Sequence, residues 1–356
     1  MSRRLIVVAN RLPVALKDGV FVPTSGGLSS ALQSVKAEGL DFLWLGSLAR
    51  DAGAAERAAI EAQLQPLGAV PVWMPQPIYE AYYAVRREPP RAPHRANKTQ
   101  APTHHLEYRK QFANEVLWPT LHSFTGGAED PSDKLGDADA YLAANAAFAA
   151  AVAAVAGPHD TVWVHDYHLF PLPQLLRSAL PATVRIGYFL HVPFCASAHW
   201  RTLPLRERLL EGVLGADLVG FHTLRDVGHF ASAVHKTVPA ARVRGDVVAH
   251  RGRAVALGAF PIGIDPAPFV DAVAREQACA SHVKTWGAFF AGRPVVVSCD
   301  RLDPIKGLEE KLQGFQALLA LLPAGSPPPC LLSLVVPSRD NLAAYAGLKT
   351  RCDALA

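Results

Sequence analysis

Asp166 and His191 each stand just past a short apolar run. A carboxylate and an imidazole so placed can orient hydroxyls or move protons. Asp166 belongs to His165-Asp166-Tyr167-His168, four polar or aromatic residues that directly follow Thr161 to Val164. Four cations are placed in a similar way. Arg11, Arg301 and Arg339 follow apolar runs, and Lys306 comes five residues after Arg301. Arginine forms bidentate bonds to phosphate oxygens and lysine supplies a point charge, so the set suits a phosphorylated substrate. Arg301 and Lys306 together suit a pyrophosphate and can stabilise the charge it carries away. The competing reading of each cation is an ion pair with a nearby acid such as Asp303. The competing reading of His191, beside Val192-Pro193-Phe194, is a hydrogen-bonded core histidine; the neighbouring H-D-Y-H weighs against it. The sequence contains no Walker A loop, G-x-G-x-x-G, H-E-x-x-H or G-x-S-x-G. That argues against nucleotide hydrolysis, dinucleotide redox chemistry, zinc proteolysis and serine hydrolysis.

These residues have chemistry in common only if a sheet gathers the ends of their strands. The spacing predicts one. Apolar runs of strand length cover Leu5 to Ala9, Leu40 to Gly46, Thr161 to Val164, Val184 to Leu190, Asp217 to Phe221 and Ala254 to Phe260. Helical patterns lie between them, at Ser29 to Lys36, Ala52 to Leu64, Leu106 to Phe124 with a stop near Pro119, and Asp137 to Val155. Further helices are expected at Leu172 to Ala179, Leu205 to Leu214 and Leu224 to Val234. Alternation of this kind gives an α/β fold with a parallel sheet covered on both faces. Ligands then sit beyond the carboxyl ends of the strands. Asp18-Gly19 reads as a hairpin turn, and Ser25-Gly26-Gly27-Leu28 as either a helix start able to meet an anion or a plain turn and cap. Asp137 and Asp139 resemble a D-x-D metal site, but two acids in the first turn of a helix need only its dipole.

Around Pro266 the pattern restarts. A linking helix is expected over Phe269 to Ala291, then a strand over Pro294 to Ser298, a helix to Leu322, and a strand over Leu331 to Val336. Domains of 1–265 and 266–356 follow. The second is short for a Rossmann-like half, which needs several strands.

The 356 residues are half hydrophobic and 19% charged, with a net charge of +4. This is the composition of a globular chain of about two domains. The charge suits an anionic small molecule and argues against nucleic acid, whose binding domains carry dense basic faces. Residues 86–104 hold five basic residues and four prolines without interleaved aromatics, and read as a solvated loop insertion. Five cysteines without C-x-x-C spacing fit a reduced compartment. The apolar stretch near the N-terminus is too short for a membrane span, so a soluble cytoplasmic protein is expected, with no membrane partner. A homo-oligomer is compatible with the sequence.

A series of motifs carries a resemblance. N-R (10–11), S-G-G-L (25–28), V-L-W-P (116–119), V-W-V-H-D-Y-H-L (162–169), F-L-H-V-P-F (189–194), R-T-L-P-L-R (201–206), G-A-D-L-V-G-F-H-T (215–223), G-A-F-P-I-G-I-D (258–265), D-R-L-D-P-I-K-G (300–307) and P-S-R (337–339) occur in this order. Together they resemble the trehalose-6-phosphate synthase family. The resemblance implies a two-domain GT-B fold: a Rossmann-like N-terminal acceptor domain and a nucleotide-sugar domain of which only the first part is present. It implies glucosyl transfer from UDP-glucose to glucose 6-phosphate with retention of configuration, and neither metal nor other cofactor. It assigns Arg11, Arg339 and Trp118 to the acceptor pocket and Gly27 to a loop over the donor. It assigns Asp166 and His191 to the sugar hydroxyls, and Arg301 and Lys306 to the UDP phosphates. Departures lie on the acceptor side. Arg109 follows Tyr108 where the family has a second tyrosine, with Tyr82-Tyr83 as the alternative pair; Ser47 stands where a tryptophan is frequent, and Cys195 where a proline is common. An acidic, glycine-containing loop, a glutamate and a closing helix of the family are not found in the 356 residues. Two alternatives therefore stay open: a glucosylglycerol-phosphate synthase-like transferase, and a non-catalytic truncated paralogue that binds sugar phosphate or a partner subunit.

Overall fold

A computed structural model of the chain describes residues 4–24, 27–37, 39–48, 51–82, 111–123, 138–267, 269–271, 277–337 and 343–356. These fall into two units, one running to Ile264 and one from Asp265. The insertion at 86–104, Asp137, Tyr83, Tyr108, Arg109 and Arg339 lie outside the described residues.

The first unit opens with β1 (Leu5–Arg11), the hairpin of β2 (Val14–Lys17) and β3 (Val20–Pro23), and α1 (Gly27–Ala37). Next come β4 (Phe42–Ser47), α2 (Ala54–Leu64), β5 (Ala69–Pro71) and α3 (Gln76–Tyr82). A π-helical turn, Phe112–Leu117, passes directly into α4 (Trp118–Leu121), followed by α5 (Ala138–Val155) and β6 (Thr161–His165). The chain continues through α6 (Leu172–Ala179), β7 (Arg185–Phe189), α7 (Ser197–Trp200), α8 (Arg206–Val213), β8 (Leu218–Phe221) and α9 (Leu224–Thr237). It ends in β9 (Arg242–Arg244), β10 (Val247–His250) and β11 (Arg253–Ala259).

Nine strands form one sheet in the order β5-β4-β1-β6-β7-β8-β11-β10-β9. All pairs from β5 to β11 are parallel; β10 and β9 add an antiparallel edge. β1 lies inside the sheet between β4 and β6, and its Ile6, Val7 and Val8 are fully buried, as the continuous apolar run of a strand covered on both faces requires. One face packs on α3, α5, α6, α8 and α9 through a large core that includes Tyr141, Phe148, Val164, Leu176 and Phe230. The other packs on α1 and α2 through Val7, Leu32, Trp44, Ile60 and Leu64. On this second face the expected cover is incomplete among the described residues. α1 and α2 serve β5, β4 and β1, whereas Trp163, Phe189 and Phe260 line an open groove over β6 to β11.

Three expectations need correction. Pro119 is not itself the stop: it lies inside a continuous helical run, just after the π-helical turn passes into α4, and the run ends two residues later at Leu121. Short β5, and β9 with β10, were not expected, being three or four residues long with weak apolar character. The strand at Pro294 to Ser298 is longer, as described below. The Asp18-Gly19 hairpin is as expected, with both φ angles positive (50° and 80°), as a tight two-residue turn requires. Helix α5 is long and apolar enough to cross a membrane, but its inner side carries Tyr141 and Asn145, hydrogen-bonded inside the core.

The second unit contains α10 (Gln277–Phe290), β12 (Val295–Arg301), α11 (Leu308–Ala320), β13 (Cys330–Val336) and α12 (Ala343–Leu355). β12 and β13 pair in parallel in a two-stranded sheet, from Val295↔Cys330 to Arg301↔Val336. The strand thus runs through Arg301 rather than ending before it, because the β13 backbone keeps pairing to that point. Its core is small: Leu302, Leu308 and Leu348, with Cys352 against them.

Candidate active site

The chain turns sharply after β6. Asp166 has φ 73° and ψ 167°, a region in which only glycine is at ease. Its N–H donates to the Phe189 carbonyl (2.8 Å), its carbonyl accepts from the Leu169 N–H (3.1 Å), and its Oδ1 accepts from the His191 N–H (3.3 Å). Burial pushes the Asp166 carboxyl up from 3.8 to about 6, against the N–H groups of Tyr167 and His191, which favour the ionised form. Backbone strain and an interior carboxylate at one residue are what a working site accepts and a purely structural turn avoids.

His191 follows β7, beside β6. Its Nε2 lies 2.9 Å from Nδ1 of His165. Burial pushes His191 down to about 4, helped by His222, and pushes the fully enclosed His165 well below the ordinary range, helped by His191. Burial thus favours the uncharged form of both rings, and one proton lies between them, so the tautomer of one ring sets that of the other. The following loop is pinned from α9. The Asp226 carboxylate accepts from the Phe194 N–H (3.0 Å) and the Thr223 hydroxyl (2.6 Å), and Thr223 caps the helix by accepting from the Asp226 N–H.

Asp166 and His165 share a cavity of about 640 Å³ with Asn10, Arg11, Ser29, Trp44 and His168. Arg11 is exposed at the carboxyl end of β1, next to β6. Behind it the Ser47 hydroxyl donates to the Asn10 carbonyl (2.8 Å), so the serine at this variant position braces the Arg11 strand end. Asn10 and Trp44 line this cavity, and Asn10 Oδ1 and Trp44 Nε1 are buried and make no hydrogen bond among the described residues. Gly27 is the first residue of α1, and the next two, Leu28 and Ser29, line the cavity wall.

A second cavity of about 390 Å³ opens on the α1 side, lined by Leu28, Leu32, Trp163, Phe189 and Phe260, with His165 and His191 at one end. It is almost wholly apolar and exists because Gly187 and Gly220 leave the sheet floor free; a Cβ on Gly220 would lie 2.7 Å from the Phe189 ring.

Of the residues expected at the site, the structure joins Arg11, Asp166 and, through His165, His191. Arg301 and Lys306 belong to the second unit. Arg301 closes β12 and reaches Asp303 Oδ2 at 3.3 Å, so the competing ion pair is present, yet its side chain stays 55% exposed. Buried Asp303 also accepts from the Ile305 N–H and caps the turn Pro304–Lys306, which carries an exposed Lys306 without an ion pair among the described residues. Trp118 does not line the Arg11 cavity: it is half-buried against the main core and stacks on His122 at 4.3 Å. Tyr82 is buried and donates to the His168 carbonyl, so it supports the turn from behind. Cys195 is buried in the core, where burial pushes its thiol up to about 12. Sequence reasoning singled out the H-D-Y-H stretch, His165 included, and missed Asn10 and Trp44 as site-lining groups. The orphan atoms of the last two have no signal in the sequence, whereas His165 stands beside Asp166 and was legible as a candidate.

A glycosyltransferase family 20 model matches residues 3–356. The UDP-forming alpha,alpha-trehalose-phosphate synthase of Schizosaccharomyces pombe is 35% identical over 357 residues, covering 98% of this chain; the chain spans 63% of that relative's length. The E. coli trehalose-6-phosphate protein bound with UDP-2-fluoro glucose matches with a TM-score of 0.75 and 25% identity over 99% of this chain and 69% of its own. The Burkholderia xenovorans UDP-forming synthase in complex with glucose-6-phosphate matches with a TM-score of 0.72 and 26% identity over 99% and 70%. The two α/β units are of the GT-B class. The chain belongs to glycosyltransferase family 20.

Proposed function

We propose that the protein transfers glucose from UDP-glucose to glucose 6-phosphate, forming alpha,alpha-trehalose 6-phosphate and UDP. The observation that carries this is the meeting of an exposed arginine, a strained carboxylate and unpartnered buried polar atoms in one cavity, a set suited to a sugar with a phosphate at one end. The similar proteins named above support the choice of donor and acceptor.

In this reading Arg11, with Arg339, holds the acceptor phosphate, and Asn10, Trp44 and Asp166 take sugar hydroxyls. The acceptor hydroxyl attacks the anomeric carbon on the face that UDP leaves. A glycosidic C–O bond forms as the bond to the diphosphate oxygen breaks, and the hydroxyl proton passes to that leaving oxygen. Arg301 and Lys306 stabilise the charge on the departing diphosphate, and Gly27 opens the loop over the donor. His191, uncharged and held by His165, presents a neutral hydrogen-bonding edge to sugar. Orientation and fixed charge supply the rate rather than a protein nucleophile. The five cysteines are all unpaired, which fits a cytoplasmic setting.

UDP release from UDP-glucose, measured with glucose 6-phosphate present, tests the reading. Release that depends on the acceptor and falls by about two orders of magnitude or more in Arg301→Ala and Lys306→Ala is expected. Release unchanged in both variants would overturn the mechanism.

A further inference from the structure

The mechanism leaves three buried polar side chains unused. Tyr141 and Asn145 stand one turn apart on the inner side of the alanine-rich α5, fully buried, and Tyr82 is 1% exposed on α3. Burying a hydroxyl or amide is costly unless it is paired. All three are paired with the same short stretch. The Tyr141 hydroxyl donates to the Tyr167 carbonyl (2.8 Å) and accepts from the Phe170 N–H (3.3 Å). Asn145 Nδ2 donates to the His168 carbonyl (3.1 Å) and to the Tyr141 carbonyl (2.9 Å). The Tyr82 hydroxyl donates to the His168 carbonyl as well (3.3 Å). Two consecutive carbonyls directly after Asp166 are thus held by side chains from two helices.

We infer that Tyr141, Asn145 and Tyr82 are positioning residues that hold the 166–170 turn in its strained form and so fix where the Asp166 carboxylate stands. A non-glycine residue at φ 73° returns to ordinary backbone angles unless its surroundings over-determine it. Here relaxation would swing the Tyr167 and His168 carbonyls off their donors and leave them unpaired in the interior, which costs more than the strain it relieves. Asn145 Oδ1, with no partner among the described residues, marks the same priority: the side chain gives up one hydrogen bond to place its amide on the turn. The geometry stands by itself; its meaning for the acceptor rests on the proposed function.

The test reads the Asp166 carboxyl directly, by carbon NMR of the full chain labelled at aspartate and assigned with Asp166→Asn. The ionisable groups near it are Arg11, His165 and His168 of the same cavity, which all variants keep, and Tyr141 and Tyr188, whose own ionisation it opposes and which stay protonated through the titration; His191 meets it through its backbone N–H. In Tyr141→Phe and Asn145→Leu the titration midpoint is expected to move from about 6 toward the ordinary carboxylate value of about 3.9, because the freed carboxylate swings toward water. Tyr82→Phe, which gives up the 3.3 Å bond to the His168 carbonyl and keeps the ring, is expected to move it less, and supplies the reading should the other two fail to fold. Tyr188→Phe is the control: its hydroxyl is equally buried but bonds to nothing among the described residues, so the midpoint stays. Midpoints equal to wild type in the folded clamp variants, or an equal shift in Tyr188→Phe, would overturn the inference. Calorimetry with glucose 6-phosphate keeps the two readings apart: about tenfold weaker binding in the clamp variants is expected. Midpoints that shift in the clamp variants of a protein whose wild type binds no sugar phosphate would sink the function and leave the clamp standing.

Discussion

Asp166 concentrates cost at one residue. It holds a backbone angle meant for glycine and a carboxylate in the interior, both unfavourable to the fold. The sign follows from linkage. The folded carboxyl titrates near 6 and the unfolded one near 3.8, so between these values the folded state binds the extra proton. Stability falls as pH rises through that window and stays lower above it. Asp166→Asn, which cannot ionise, is therefore expected to raise the Tm at pH 8 and leave it nearly unchanged at pH 4, while abolishing transfer. Calorimetric scans at both values check this; a lower Tm at pH 8 would contradict it. The residue was legible in the sequence because a charged group directly after a buried run is conspicuous. The reason it stays there was not, since Tyr141 and Asn145 sit in α5 among alanines and only the fold brings them behind the turn. Trp118 shows the reverse: its motif suggested a pocket wall, and its place in α4 turns it toward the core.

At the scale of elements, period and punctuation carried the α/β alternation, and long buried strands such as β1 and β6 were readable from their apolar runs. The hairpin edge of β9 and β10 was not, because short half-exposed strands such as Arg242–Arg244 have no apolar run to show. Close approaches are equally silent in sequence. Gly46, in β4, lets the end of β1 cross it: a Cβ there would lie 2.5 Å from the Leu12 nitrogen and 2.6 Å from the Arg11 carbonyl carbon. Both atoms are backbone, so they yield only by moving the strand end that bears Arg11. Gly46→Ala is expected to cost about 1–3 kcal/mol of stability and to weaken sugar-phosphate binding with it. Denaturant unfolding and calorimetry measure the two; a stable variant with wild-type affinity would contradict the packing argument.

At the scale of the molecule, the two units differ in completeness of burial. The first has a large core along one face of its nine-stranded sheet and a second core under β5, β4 and β1 on the other. Among the described residues the second rests on Leu302, Leu308 and Leu348, while Val296, Val297, Leu334 and Val336 on its sheet and Trp286 and Phe289 on α10 stand exposed. Arg339 apart, the groups assigned to the acceptor fall in the first unit and the cations assigned to the diphosphate in the second, so acceptor recognition can be measured without the donor. Calorimetric titration of the chain with glucose 6-phosphate and with glucose is the most direct measurement of the central claim. The account predicts saturable binding of the phosphate, with glucose and the Arg11→Ala variant each weaker by about tenfold or more, as loss of a charge-assisted bond implies. Equal affinity for glucose and glucose 6-phosphate, or an Arg11→Ala variant that binds like wild type, would contradict it.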